Sequence, residues 1–173
     1  MSVLEIKKYP DEVLRKRSRR LAGIGPAEEK LARNMLDTMY FSNGVGLAAP
    51  QVGILKRIIV CNPTGQKKDE LVLINPKIIK EFGRKVSDCE GCLSIPEMSA
   101  EVKRASKAVV EAQDSTGRVF RLEAEGLLAR IIYHETDHLD GVLFIDRLSI
   151  LKKMRVIRKY KKRMGISCIG RSY

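Results

Sequence analysis

The chain of 173 residues contains two histidines, and they stand four residues apart in His134-Glu135-Thr136-Asp137-His138. On an α-helix, positions i and i+4 share a face, so both imidazoles can address one metal ion. Glu135, beside them, can then reach a water bound to that ion. A chain that uses histidine nowhere else and puts both copies at metal-ligand spacing reads as a metal site. The plain alternative is a helix carrying two surface or capping histidines. Two imidazoles do not complete such a site; a third protein ligand is required. No glutamate follows Glu135 and no histidine follows His138, so the downstream ligand of an HExxH protease is missing. Asp140 lies too close along the same helix, and Asp146 reads as a turn or cap residue. The third ligand is expected upstream, or to be a cysteine.

Cys92 is the best candidate. It lies in Glu90-Gly91-Cys92-Leu93-Ser94-Ile95-Pro96-Glu97, where a glycine before it and a proline after it favour a fixed backbone shape. One thiolate and two imidazoles leave the fourth tetrahedral position for water, as catalytic sites do. The competing arrangement adds Cys89 to make a closed Cys2His2 structural zinc site. Against it, 41 residues (93–133) separate Cys92 from His134, far from the roughly 12 of a zinc finger. A glutamate between the histidines would also have no task in a closed site. Cys61 and Cys168 read as buried or surface thiols.

The elements that must position these groups are legible in outline. Pro26-Ala27-Glu28-Glu29 opens a helix, with Leu31, Met35, Leu36 and Met39 at helical spacing and Asn43-Gly44 at its end. The loop from Gly44 to Gly53 follows. Short β-rich runs come next at Arg57 to Cys61, Leu71 to Asn75 and Ala108 to Gln113. The last is joined to Arg118-Val119-Phe120-Arg121-Leu122 through the turn Asp114-Ser115-Thr116-Gly117. From about Glu125 to Leu139 the pattern is helical, with Leu127, Leu128, Ile131 and Ile132 as its apolar face and Gly141 as its stop. A basic helix runs from about Ser149 to Met164. The expectation is a single α+β domain over 1–173: mostly antiparallel strands around a central HExxH helix, with a basic C-terminal helix and tail over 149–173.

An apolar fraction of 44% is that of an ordinary globular chain. Its apolar runs all fall well short of the roughly 18 residues that span a bilayer, so no membrane partner is expected. The N-terminus, Met1 to Lys8, lacks a secretory apolar core, and four cysteines in such a chain read as thiols. A cytoplasmic location is the expectation. The net charge of +12 is uneven, with ten Lys or Arg and no acid from Arg147 onward. Basic arms of this kind point to a polyanion such as nucleic acid, with a merely solvated helix face as the plain alternative.

Three segments resemble, in order and spacing, the motifs GxGLAAxQ, EGCLS and HExxDH of the peptide deformylase family. They are Gly44-Val45-Gly46-Leu47-Ala48-Ala49-Pro50-Gln51, Glu90-Gly91-Cys92-Leu93-Ser94 and His134-Glu135-Thr136-Asp137-His138. Tyr9-Pro10-Asp11, Ile74-Asn75-Pro76, Gly126-Leu127-Leu128-Ala129-Arg130 and Leu139-Asp140-Gly141 are similar too, so the likeness runs to about Leu148. The resemblance implies hydrolysis of the N-formyl group from the formyl-methionine of nascent polypeptides, with release of formate, by a metal-bound water or hydroxide. It implies that Cys92, His134 and His138 bind one divalent ion, Fe2+ in the cell with Zn2+, Ni2+ or Co2+ as substitutes. Glu135 would be the general acid/base. The Gln51 amide and the Leu93 N–H would hold the formyl oxygen, and backbone near Val45, Gly46 and Gly91 would pair with extended substrate. By the same likeness, the basic C-terminal helix suits contact with the ribosome.

Around these groups, a Glu90–Arg104 ion pair is expected to brace the cysteine segment, and Asp137 to orient a ligand histidine. Surface pairing is the plainer alternative for each. One departure stands out. Tyr133 precedes His134 where the family most often has glutamine, a side chain expected to face the groups around the metal ligands.

Overall fold

The computed structural model describes residues 2–165, so Cys168 and the tail beyond Gly165 lie outside the described residues. Helix α1, Pro26–Phe41, begins where its sequence says it should. Pro26 takes the first-turn position, and the Glu28 carboxylate accepts the Gly25 N–H at 3.1 Å, satisfying a backbone donor that the helix cannot. Its inner side, Ala32, Met35 and Met39, is buried.

Five antiparallel strands follow one another across a single sheet in chain order: β1 (Gly46–Ala48), β2 (Ile58–Cys61), β3 (Leu71–Cys92), β4 (Ile95–Gln113) and β5 (Val119–Glu125). β1 is an edge strand, paired on one side only, with Gly46 opposite Cys61. β3 and β4 are far longer than their apolar runs suggest. Beyond Pro76 most of β3 is exposed, and register shifts near 75–77, 79 and 83–84 break the alternation that would have revealed it. The two strands meet at a tight turn, with Cys92 opposite Ile95 and Leu93-Ser94 between them. The candidate thiol is therefore fixed at the closed end of a hairpin.

Helix α2, Gly126–Leu139, packs on this sheet, and every residue from Ile131 to Leu139 is buried. That is the signature of a helix sunk in a core, where side chains cannot drift. Ile132 and Tyr133 pack with Ile59, Leu73 and Val110 of the sheet; burial of one such aliphatic side chain stabilises by roughly 1.5–3 kcal/mol. Leu127, expected on the apolar face, instead stands half exposed at the start of the helix. Helix α3, Ile150–Arg163, lies over the N-terminal segment. Tyr160 is buried and donates its hydroxyl to the Tyr9 carbonyl at 2.8 Å, packing with Leu14 and Phe144. Among the described residues no helix is long and apolar enough to cross a membrane.

Candidate active site

The hairpin turn and helix α2 bring Cys92, His134 and His138 together, with one ligand atom from each lying within 4.8 Å of the others. Cys92 Sγ is 3.2 Å from His138 Nε2. Cys89 does not join them: it is exposed, three residues back along β3, and the closed Cys2His2 arrangement is not formed. Cys61 is fully buried on β2, where burial pushes its thiol up to about 12. Burial also opposes ionisation of Cys92, but the neighbouring His138 and His134 outweigh it and hold the thiol well below its ordinary value. Burial lowers the pKa of His134, but hydrogen bonds to Cys92 and Glu90 outweigh this and raise it above its ordinary value. A thiol and two imidazoles so placed form a donor set suited to a divalent transition ion. Glu135 lies beside them, buried, with Oε2 lacking any hydrogen-bond partner among the described residues. Burial pushes its carboxyl up to about 7, although both imidazoles pull the other way. An unpartnered carboxylate oxygen next to three convergent donors is what a site completed by an ion and water would contain.

The groups behind the ligands form a tighter network than expected. Glu90 Oε2 lies 2.9 Å from His134 Nδ1, and Arg104 grips both oxygens of Glu90 at 2.9 Å each. Burial disfavours the Glu90 anion, but Arg104 and His134 overcome it and bring its pKa down to about 2. Asp137, expected to orient a histidine, does not: it accepts from Arg104 at 2.7 Å and pairs with Arg147. Glu90 has that task because its strand faces the ring, whereas Asp137 points off another side of α2. Arg130 escaped the sequence reading. It reaches Glu90 Oε1 at 2.9 Å and the Val102 and Val86 carbonyls at 3.0 and 3.1 Å. Its position one helical turn before His134 was the available signal. Among the described residues Tyr133 makes no hydrogen bond to Cys92, His134 or His138. It donates to the Lys107 carbonyl at 2.9 Å, and its ring lies 5.9 Å from the Arg104 guanidinium carbon. Asp140 pairs with Arg57 at 2.7 Å, and Asp146 accepts the Leu143 N–H at 2.9 Å as a cap.

A cleft of about 550 Å³ opens above these groups, lined by Val45, Gly46, Gln51, Gly91, Leu93 and Glu135 among others. Gln51 is buried. Its Oε1 accepts the Ala48 N–H at 2.7 Å, which turns Nε2 toward Cys92 Sγ at 3.5 Å and Ser94 Oγ at 3.4 Å. The oxygen thus caps backbone while the nitrogen faces the site. Lys8, also unforeseen, lines the cleft and donates to the Leu93 carbonyl at 2.7 Å. Gly46 has a direct steric reason: a Cβ there would stand 2.7 Å from Glu135 Oε1.

A thiol and two imidazoles around one point, a buried carboxylate beside them and a cleft above define a metallohydrolase centre. The family model described as polypeptide deformylase matches residues 3–154. A peptide deformylase of Thermodesulfovibrio yellowstonii is 48% identical over 163 residues, covering 93% of this chain and 98% of that protein. The crystal structure of a Legionella pneumophila peptide deformylase superposes with a TM-score of 0.90 at 40% identity, covering 98% and 99% of the two chains. An Ehrlichia chaffeensis peptide deformylase in complex with actinonin gives 0.87 at 38% identity, covering 94% and 98%. The chain belongs to the peptide deformylase family: it is a metal-dependent hydrolase that removes the N-formyl group from nascent polypeptides.

Proposed function

We propose that Cys92, His134 and His138 hold one divalent ion, Fe2+ in the cell, and that Glu135 is the general acid/base of deformylation. The convergence of the three donors beside the unpartnered Glu135 carboxylate carries this reading. A divalent ion so held supplies Lewis acidity, lowering the pKa of water and polarising a carbonyl, and a mixed thiolate–imidazole set accepts Fe2+, Zn2+, Ni2+ or Co2+. Glu135, with a pKa near neutrality, takes the proton of the attacking water and passes it to the leaving amine as the C–N bond of the formamide breaks. Formate and a free amino terminus result. The Gln51 amide, locked by Ala48, and the Leu93 N–H steady the charge growing on the formyl oxygen. Glu90, gripped by Arg104 and Arg130, fixes the His134 ring so that its other nitrogen faces the ion.

Extended substrate lies along Val45 and Gly46 on one wall and Gly91 on the other. The edge position of β1 supports this, because an edge strand presents unpaired backbone groups. We also infer that the enzyme works in the cytoplasm and meets its substrates at the ribosome through α3. Its outward Lys152, Arg155, Arg158, Lys159 and Lys162 supply cations for phosphates, while buried Tyr160 leaves no stacking platform there. Formate release from a formyl-Met-Ala-Ser peptide, measured on anaerobically purified protein beside Glu135→Gln, tests the site assignment. Activity in the parent and its loss in the variant, with metal retained in both, is the expected result. A variant as active as the parent removes Glu135 from the chemistry. Unchanged ribosome co-sedimentation at low salt after truncation at Ser149 removes α3 from ribosome contact.

A further inference from the structure

A second cavity, of about 500 Å³, opens on a different side of α2 from the cleft, where Tyr133, Thr136, Asp137 and Asp140 form its floor. Seven Lys or Arg side chains face it against three carboxylates, an excess of four positive charges in a concave space. Two of the carboxylates are already outnumbered. Asp137 is shared by Arg104 and Arg147, and Asp140 by Arg57 at 2.7 Å and Arg17 at 3.4 Å. Lys77, Lys85 and Lys103, on the β3–β4 ribbon, are exposed and have no ion-pair partner among the described residues. Glu81 is the third acid. A solvated basic face does not explain the gathering of these cations around one hollow.

We infer that this cavity binds an anion carrying two or more phosphate groups. Lys77, Lys85, Lys103 and the largely exposed Arg17 supply cations for phosphate oxygens at the rim, while Arg57, Arg104 and Arg147, whose guanidiniums are engaged by Asp140 and Asp137, add their field. The volume, against about 30 Å³ for a single water, suits such a ligand better than a lone inorganic ion. The phosphates could come from a small nucleotide or from the backbone of RNA, and the two sources separate experimentally. None of the lysines has a role in the hydrolytic site; Arg104, which lines the cavity and also holds Glu90, is left unchanged in the test.

The test is calorimetric titration of the full-length, metal-loaded enzyme at one fixed ionic strength. The probes are adenosine 3′,5′-bisphosphate in one arm and a short oligouridine without terminal phosphates in the other. Saturable binding of at least one is expected, weakened about tenfold or more by Lys77→Glu with Lys103→Glu. Formate release by this variant stays at the parental level, which reports that it is folded. Lys159→Glu with Lys162→Glu, the same charge change on α3, should leave bisphosphate affinity within about threefold. Bisphosphate binding identifies small nucleotides as ligands, whereas binding of the oligouridine alone, lost in the cavity variant, identifies the RNA backbone. Binding of neither probe, or equal weakening by the cavity and α3 variants, overturns the inference.

Discussion

Gly46→Ala is the most searching single test of how the site is built. The added methyl would stand 2.7 Å from both Glu135 Oε1 and Ile131 Cγ2, and 3.1 Å from Glu135 Cδ. Ordinary contact begins near 3.4 Å, so one side must yield by about 0.7 Å. Helix α2 cannot retreat, since every residue from Ile131 to Leu139 is buried, and β1 is held by its pairing to β2. The movable part is the Glu135 carboxylate. Misplacing a reacting group by about 1 Å can cost on the order of 10²-fold, so kcat should fall about 10- to 100-fold, or roughly 1.4–2.7 kcal/mol of barrier. Overpacking should also lower stability by about 1–3 kcal/mol. Gly44→Ala is the matched control. Its methyl meets Leu93 Cδ1 at 2.8 Å, the far end of a flexible side chain, so the loss should be much smaller. The assay is formate release at saturating formyl-Met-Ala-Ser, with metal content measured on each sample. A fall in kcat with KM little changed places the injury at Glu135; a rise in KM alone would place it in substrate pairing. If Gly46→Ala keeps kcat within about twofold of the parent with full metal, the steric account of Gly46 is wrong.

Other consequences are equally direct. Arg104→Leu strips the buried Glu90 and Asp137 carboxylates of their shared partner, and should destabilise the fold by about 3–5 kcal/mol in urea titrations. Because Glu90 holds His134, metal affinity in the same variant should drop about 10- to 100-fold by competition with a chelating dye. Cys92→Ser should abolish stoichiometric metal binding while Cys89→Ser retains it; equal losses would restore the closed zinc arrangement. Burial opposes ionisation of Asp146, but Arg15, Lys153 and the Leu143 N–H overcome it and leave its pKa below the ordinary 3.8. A depressed folded-state pKa stabilises fully above 3.8 and is lost as pH falls through the lower folded value. Asp146→Asn should therefore cost about 1–2 kcal/mol near neutrality, with parent and variant melting curves converging below about pH 4.

The division between what was readable in the chain and what was not follows contact range. His134, Glu135 and His138 sit within five residues, and α-helical geometry alone puts both rings on one face, so the metal helix could be identified without coordinates. Cys92 emerged because downstream ligands were missing, and the helix ends because Pro26 and Gly141 are local signals. The length of β3 and β4 was hidden, since an exposed ribbon with register shifts has no simple alternation to read. The partners of Glu90 likewise span 14, 40 and 44 positions, to Arg104, Arg130 and His134. No periodicity links residues so far apart, and Asp137 was assigned a histidine that the helix turns it away from. By itself, then, the sequence determined which atoms could ligate an ion and which helix carries them. Tertiary structure alone decided which carboxylate steadies the ring, how deep Glu135 lies and hence how basic it is, and that a cationic hollow opens on another side of the same helix. Burial and long-range pairing exist only once separate strands and helices have packed together.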